Sequence, residues 1–307
     1  INGPTLDNSA NNRKLIIQGT IERYGTGTFV AGTGVNATVE FAGSTTQTVG
    51  GPMGDFSGSN KFNNLIINNA SGLNIGLNGT IEMGGNLYLT NGIIHTSATN
   101  RLKIVNTSIN CVFPAKGSSI SFVDGPLAKN ILSSDSFIYP IGKGTTLGSK
   151  LSVESPEAYT PGILEWTAEF FTPNPTYNNY AAPLTYVNSK EYWTVSVPSG
   201  GSAYLSLDWD SNSDLTPLMT QNGLSDMRVA YDNSGTWTEL SSTASGNNND
   251  GTVATTARVS VPIGGSENIT TACINTTKPR ARFNPSGSVC GDSGIPVIFI
   301  GSVKPLN

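Results

Sequence analysis

"GGNLYLTNGIIHT", residues 84–96, alternates apolar and polar positions as a strand does, yet Gly or Asn interrupts it every few residues. The same texture fills the first 130 residues: "KLIIQ", "TIERY", "GTFVA", "TVEF", "QTVG", "NLIIN", "LNIGL", "TIEM", "NLYL", "IIHT", "RLKIV" and "SISFV" are short runs separated by Gly/Asn turns. A conventional sandwich uses longer strands. A parallel β-helix uses strands of this length, because each coil is a small polygon with a turn at every corner. The fragment "TIE" at 20–22 returns as "TVE" at 38–40 and "TIE" at 80–82. In stacked coils the central residue of each points inward and its neighbours outward. Asn pairs at 11–12, 63–64 and 68–69 fall at expected corners, where Asn tolerates the left-handed conformation and bonds to the turn.

Composition agrees. Charged residues make up 12% of the 307, against roughly 25% in an ordinary soluble domain, and no window of ten or more residues keeps a 3.6-residue apolar period free of Gly or Pro. The expected class is all-β, a short parallel β-helix followed by a β-sandwich. A formal net charge of −4, with no basic cluster longer than "KPRAR" (278–282), argues against nucleic acid as a partner. No run approaches the roughly 20 apolar residues of a membrane span. The opening "INGPTLDNSANNRK" begins in mid-pattern, as a processed or excised piece would.

Beyond "FVDGPLAKN" the texture changes. All four Trp (Trp166, Trp193, Trp209, Trp237) lie past residue 135, along with longer runs such as "EYWTVSV" and "AYLSLDWD". Large aromatics suit the interior between two packed sheets, whereas a thin coil has little room for them. The expected division is 1–130 for the β-helix, 131–272 for the sandwich, 273–293 for a disulfide-clamped loop and 294–307 for a linker or the start of a following module. The clamp is Cys273 to Cys290. These residues bracket the polar "INTTKPRARFNPSGSV", and closing such a loop is worth about 3 kcal/mol and implies an oxidising compartment. Cys111, in "INCVFP", reads as a buried small hydrophobe.

The stretches "VEFAGSTTQTVGG…FNNLIINNASGLNI…GGNLYLTNGIIHT…LKIVN", "FVDGPLAKN…FIYPIGK" and "YWTV…LSLDWD…DMRVAYDNSGTWTEL" resemble large surface and secreted proteins of the Bacteroidetes, often described as adhesins or as cargo of the type IX secretion system. The likeness runs from about 38 to 262. The ending "GIPVIFIGSVKPLN" is similar to the opening of a module that often precedes the sorting domain in such proteins. The resemblance implies an extracellular or cell-surface location, export by type IX secretion machinery and a larger parent protein.

Candidate chemistry is sparse. His95 is the only histidine and is expected to point outward from the coil, which leaves no histidine-based triad or zinc centre. Glu22, Glu40 and Glu82 share a local pattern and would suit glycan cleavage if they lined one face; solvated outward positions are the simpler expectation. The sharpest constellation is "DWDSNSD". Asp208, Asp210, Asn212 and Asp214 alternate oxygen-bearing side chains in a spacing that can wrap a calcium ion, with Asp226 or Asp232 as further ligands; a self-capping polar turn explains the same residues. Tyr177 and Tyr180 suit either stacking on sugar rings or pinning their loop to the sandwich. The expected function is a non-enzymatic extracellular adhesion or structural module whose partner is a surface or a glycan. The alternative is a carbohydrate-binding or polysaccharide-degrading protein on a β-helix scaffold.

Overall fold

The structure is a computed structural model. It describes the chain except residues 2, 52–54, 77–78, 160–163, 212, 214, 216–222, 248, 275–281, 284–288 and 291–307, and of 282–283 and 289–290 it describes the backbone alone. The amino-terminal part is a parallel β-solenoid of about five coils with three faces. The first face stacks Lys14–Ile17, Thr38–Phe41, Asn64–Asn68, Leu87–Asn91 and Val112–Phe113, every pair parallel. The second stacks Ile21–Glu22, Gln47–Gly50, Leu73–Ile75, Ile94–His95, Val123–Asp124 and Ile141–Lys143. The third stacks Ile81–Met83, Leu102–Ile104 and Leu127–Ile131. The stretch 84–96 thus supplies two sides of the fourth coil.

Inward positions form aliphatic columns. Leu15, Val39, Leu65, Leu87 and Val112 are in register on the first face, each 22–26 residues beyond the last, and the last four are buried. The period explains the failure of the "TIE" fragment as a repeat. Ile21, Val39 and Ile81 all point inward, as expected, but they lie on the second, first and third faces respectively. The bore also holds more than aliphatics. Phe29, Phe56 and Phe62 are fully buried, with Phe56 and Phe62 stacked at 4.8 Å and Phe29 at 5.7 and 5.3 Å from them. The expectation that a coil has little room for large aromatics is thus met only in part, since three phenylalanines fit in this bore. Where the second coil reaches the third face, Phe56 and Phe62 make single bridges to Ile81 and Met83 in place of a regular strand, and the rings occupy the width this leaves.

Corners are held by side chains that reach one coil along. Asn12, at φ 47°, accepts from the backbone N–H of Thr33 and Gly34. Asn63 donates to the carbonyls of Gly34 and Ala37. Asn64 donates to the Val35 carbonyl and accepts from the Asn86 N–H at 2.8 Å each, and Asn69 donates to the Thr45 carbonyl and to Gln47 Oε1. Gly92, at φ 103°, has no substitute: a Cβ there would sit 1.9 Å from the Asn69 carbonyl oxygen of the preceding coil.

The third face does not stop at the last coil. Leu127–Ile131, parallel to Leu102–Ile104 on one side, pairs antiparallel with Leu164–Phe171 on the other. The sheet then runs on through Tyr192–Ser196, Ser266–Ile274, Met227–Asn233 and Thr236–Leu240. A second antiparallel sheet comprises Ser136–Tyr139, Leu151–Ala158, Gly201–Trp209, Gly251–Thr255 and Ser242–Gly246. Trp166, Trp193 and Trp209 are buried in a hydrophobic cluster that extends without a break from Ile21 to Cys273. The expected change of architecture near residue 130 falls inside a strand, and neither the hydrogen-bonded sheet nor the core is interrupted there.

The expected Cys273–Cys290 bridge is not formed. Cys273 is a free thiol, as is Cys111, and it points into the core with Sγ 3.4 Å from Met227 Sδ; burial pushes its pKa up to about 12. Val289–Cys290 instead pairs with Arg282–Phe283 as a short antiparallel ladder. The side chain of Cys290, the rest of the expected loop to 293 and the expected linker at 294–307 lie outside the described residues. Among the described residues no helix is long and apolar enough to cross a membrane.

Replacing Asn64 by Ala leaves one carbonyl and one N–H of neighbouring coils without partners. The expected loss is ~1–3 kcal/mol, read from a urea melt of the whole chain, and an unchanged midpoint would contradict the role given to the corner.

Candidate functional site

A cavity of about 400 Å³ opens where the last coil meets the two sheets. Lys116 reaches it from the corner loop between Val112–Phe113 and Val123–Asp124. Leu147, Gly148, Ser149 and Lys150 come from the link into Leu151–Ala158, Asp208 and Trp209 end the strand Gly201–Trp209, and Asp250, Gly251 and Thr252 form the turn into Gly251–Thr255. Asp210 completes the lining.

Two glycines hold the walls back. A Cβ on Gly251 would lie 2.2 Å from the indole of Trp209, and one on Gly148 would lie 2.6 Å from the ring of Phe170. The bare backbone therefore lies directly against buried aromatic rings. Strand register places Thr252 opposite Asp208, and its hydroxyl donates to Asp208 Oδ1 at 2.6 Å while Lys150 Nζ stands 3.6 Å from the same oxygen. Asp250 takes a hydrogen bond from the Asn247 amide, whose Oδ1 in turn accepts from the N–H of Asn249 and Asp250. Asn247 accordingly caps the turn at Asn249 and Asp250.

Behind Ser149 lies Glu191, 6% exposed. Its carboxylate accepts from Ser149 Oγ at 2.9 and 3.1 Å, from Ser213 Oγ at 2.6 Å and from Asn188 Nδ2 at 3.3 Å. Ser213 also accepts from the Asp210 N–H, so this one buried carboxylate ties the segment after Trp209 to the strand start at Leu151. Burial pushes the Glu191 carboxyl above the usual carboxylate range, with the hydroxyl donors opposing the rise and Asp210 adding to it.

The expected calcium set is only partly gathered. Asp208 and Asp210 both line the cavity. Asn212 and Asp214 lie outside the described residues, and Asp226 and Asp232 line other parts of the molecule: Asp226 is buried near Cys273, and Asp232 accepts from the N–H of Gly235 and from Asn268 Nδ2. Among the described residues no three His, Cys, Asp or Glu are arranged to hold a metal ion, and the Lys150 ammonium already stands beside Asp208. Lys116, Lys150, Glu191 and Asp250, which complete this site, carried no spacing signal, because they come from segments far apart in the chain.

The acidic trio Glu22, Glu40 and Glu82 does not line one face. Glu22 is on the second face and bonded by the Tyr24 hydroxyl, Glu40 on the first beside Lys14 and Asn68, and Glu82 on the third, 3.4 Å from Lys103. The Lys14 ammonium holds the Glu40 carboxyl below the usual range. His95 points outward, as expected, with Nδ1 3.2 Å from Asp124 Oδ2. A chain of charges continues from Asp124 through Lys143 to Glu169, each contact 3.7 Å. Tyr177 packs on the small cluster around Trp237, and Tyr180 donates to the Thr185 carbonyl, so both hold their loop to the sheet. No protein-family model matches the chain, and no curated protein or solved structure is significantly similar to it.

Two outcomes are expected. A carboxyl with a raised folded pKa contributes stability that is complete below the unfolded value of about 4.3 and is lost as pH rises through the folded value. Glu191→Gln keeps the shape and removes the charge, so it should raise the thermal midpoint at pH 7 by roughly 2 °C and leave it nearly unchanged at pH 4, as read by calorimetry at both pH values. Because Lys150 stands at the cation position beside Asp208, adding a chelator should leave the midpoint where it is; a downward shift would show that a bound metal stabilises the fold.

Proposed function

We propose that the chain is a non-enzymatic adhesive or structural module of a large extracellular or surface-anchored protein. The observation that carries this reading is the third solenoid face, whose hydrogen-bonded sheet passes from the coils into the antiparallel strands over one continuous core. Bending the molecule at the junction would break backbone ladder bonds and expose apolar surface together, so the two parts resist load as one body. Low charge and Gly/Asn corners suit dense stacking and little else. The resemblance to Bacteroidetes surface proteins supports an extracellular location and the type IX route.

A second reading, carbohydrate binding or polysaccharide degradation on a β-helix scaffold, draws on the polar cavity at the junction. Beads coated with the purified chain should adhere to cell or polysaccharide surfaces and hold under flow, while incubation with a polysaccharide panel should release no reducing ends. Product release would overturn the non-enzymatic reading. Beads that detach as readily as uncoated ones from every surface would overturn the adhesive one.

A further inference from the structure

We propose that the junction cavity is a binding site for a single uncharged pyranose unit, the terminal sugar of a glycan. The inference deepens the adhesive reading and rests on it. The volume, about 400 Å³, lies within the ~300–1,000 Å³ range of small-molecule sites.

The lining decides the class of ligand. Carboxylates of Asp208, Asp210 and Asp250 accept hydrogen bonds; the ammonium groups of Lys116 and Lys150 donate; the hydroxyls of Ser149 and Thr252, whose protons go to Glu191 and Asp208, accept. A ligand that satisfies this wall must donate and accept at neighbouring positions, which vicinal hydroxyls do. A phosphate or sulfate would face three carboxylates against two lysines. A metal ion would compete with the Lys150 ammonium, 3.6 Å from Asp208. An apolar ligand would strand the polar groups it covered.

The wall is also held in place before any ligand arrives. Asp208 is fixed by Thr252 and Lys150, Asp250 by Asn247, and Ser149 by the buried Glu191, so ordering the site costs little on binding. At the floor, the bare backbone of Gly251 lies directly on the buried indole of Trp209, so the base of the cavity is rigid. Lys116 belongs to the solenoid and the remaining groups to the strands beyond it, so a bound sugar bridges both parts.

Glucose, galactose, mannose, fucose, N-acetylglucosamine, N-acetylgalactosamine and glucuronic acid would each be titrated into the whole chain, with saturation-transfer NMR and tryptophan fluorescence as readouts. At least one neutral sugar should bind, and glucuronic acid should bind more weakly than its neutral counterpart. Lys116→Ala and Asp250→Ala, both on exposed turns, should each weaken binding about tenfold with an unchanged circular dichroism spectrum, whereas His95→Ala on the solenoid face should bind as the parent does. Absence of binding by every sugar, or binding indifferent to both cavity variants, overturns the proposal, and so does a calcium-induced fluorescence change that Asp250→Ala abolishes while no sugar binds. If beads still adhere while no sugar binds, only the cavity assignment falls; sugar binding without bead adhesion leaves the cavity and removes the adhesive role.

Discussion

Everything in this molecule depends on each coil closing its backbone hydrogen bonds on the coil before it, at a separation of about 4.8 Å. That spacing leaves no room for ordinary side chains where the path turns. The corner at Gly92 meets it by having none, since the Asn69 carbonyl occupies the place of a Cβ. Other corners meet it with amides that replace the missing ladder bonds, as Asn63, Asn64 and Asn69 do. The abundance of Gly and Asn thus follows from the geometry of stacking.

Stacking must also end somewhere, and the third face shows how. In the column Met83, Ile104 and Lys129, two apolar side chains are followed by a lysine 1% exposed. Its ammonium donates to the carbonyls of Asn106 and Asn130 and lies 5.1 Å from the centre of the Phe137 ring. Burial pushes its pKa down. A buried charge of this kind is tolerated only where every donor finds an acceptor, and the carbonyls of Asn106 and Asn130 and the face of the Phe137 ring supply them. Beyond Lys129 the core continues into the interior of the following sheets, around Trp166, Trp193 and Trp209.

The coil itself was legible in the sequence because period-two alternation and corner residues are local signals. Register was not, since the repeat varies from 22 to 26 residues on one face and every face imposes the same inward and outward alternation; hence Glu22, Glu40 and Glu82 looked equivalent while lying on three faces. The bore phenylalanines were missed because they depend on an irregular side of the second coil, which no pattern announces. At the cavity, Asp208 and Asp210 could be found as an acidic pair at the end of one strand. Their actual neighbours Lys150, Asp250 and Glu191 arrive through sheet pairing across distant segments, and the thiol of Cys273 was misassigned because the sheet turns it toward Met227.

The strand Leu127–Ile131 belongs to two architectures at once, parallel on one edge and antiparallel on the other. Neither half therefore possesses a natural surface at the seam. Cutting the chain just after this strand would strip it of its antiparallel neighbour and lay bare a row of unsatisfied amides backed by apolar residues, a template for association with any extended polypeptide nearby. Evolutionary shuffling of either half as an independent cassette is discouraged by the same fact, so the two are expected to be inherited together.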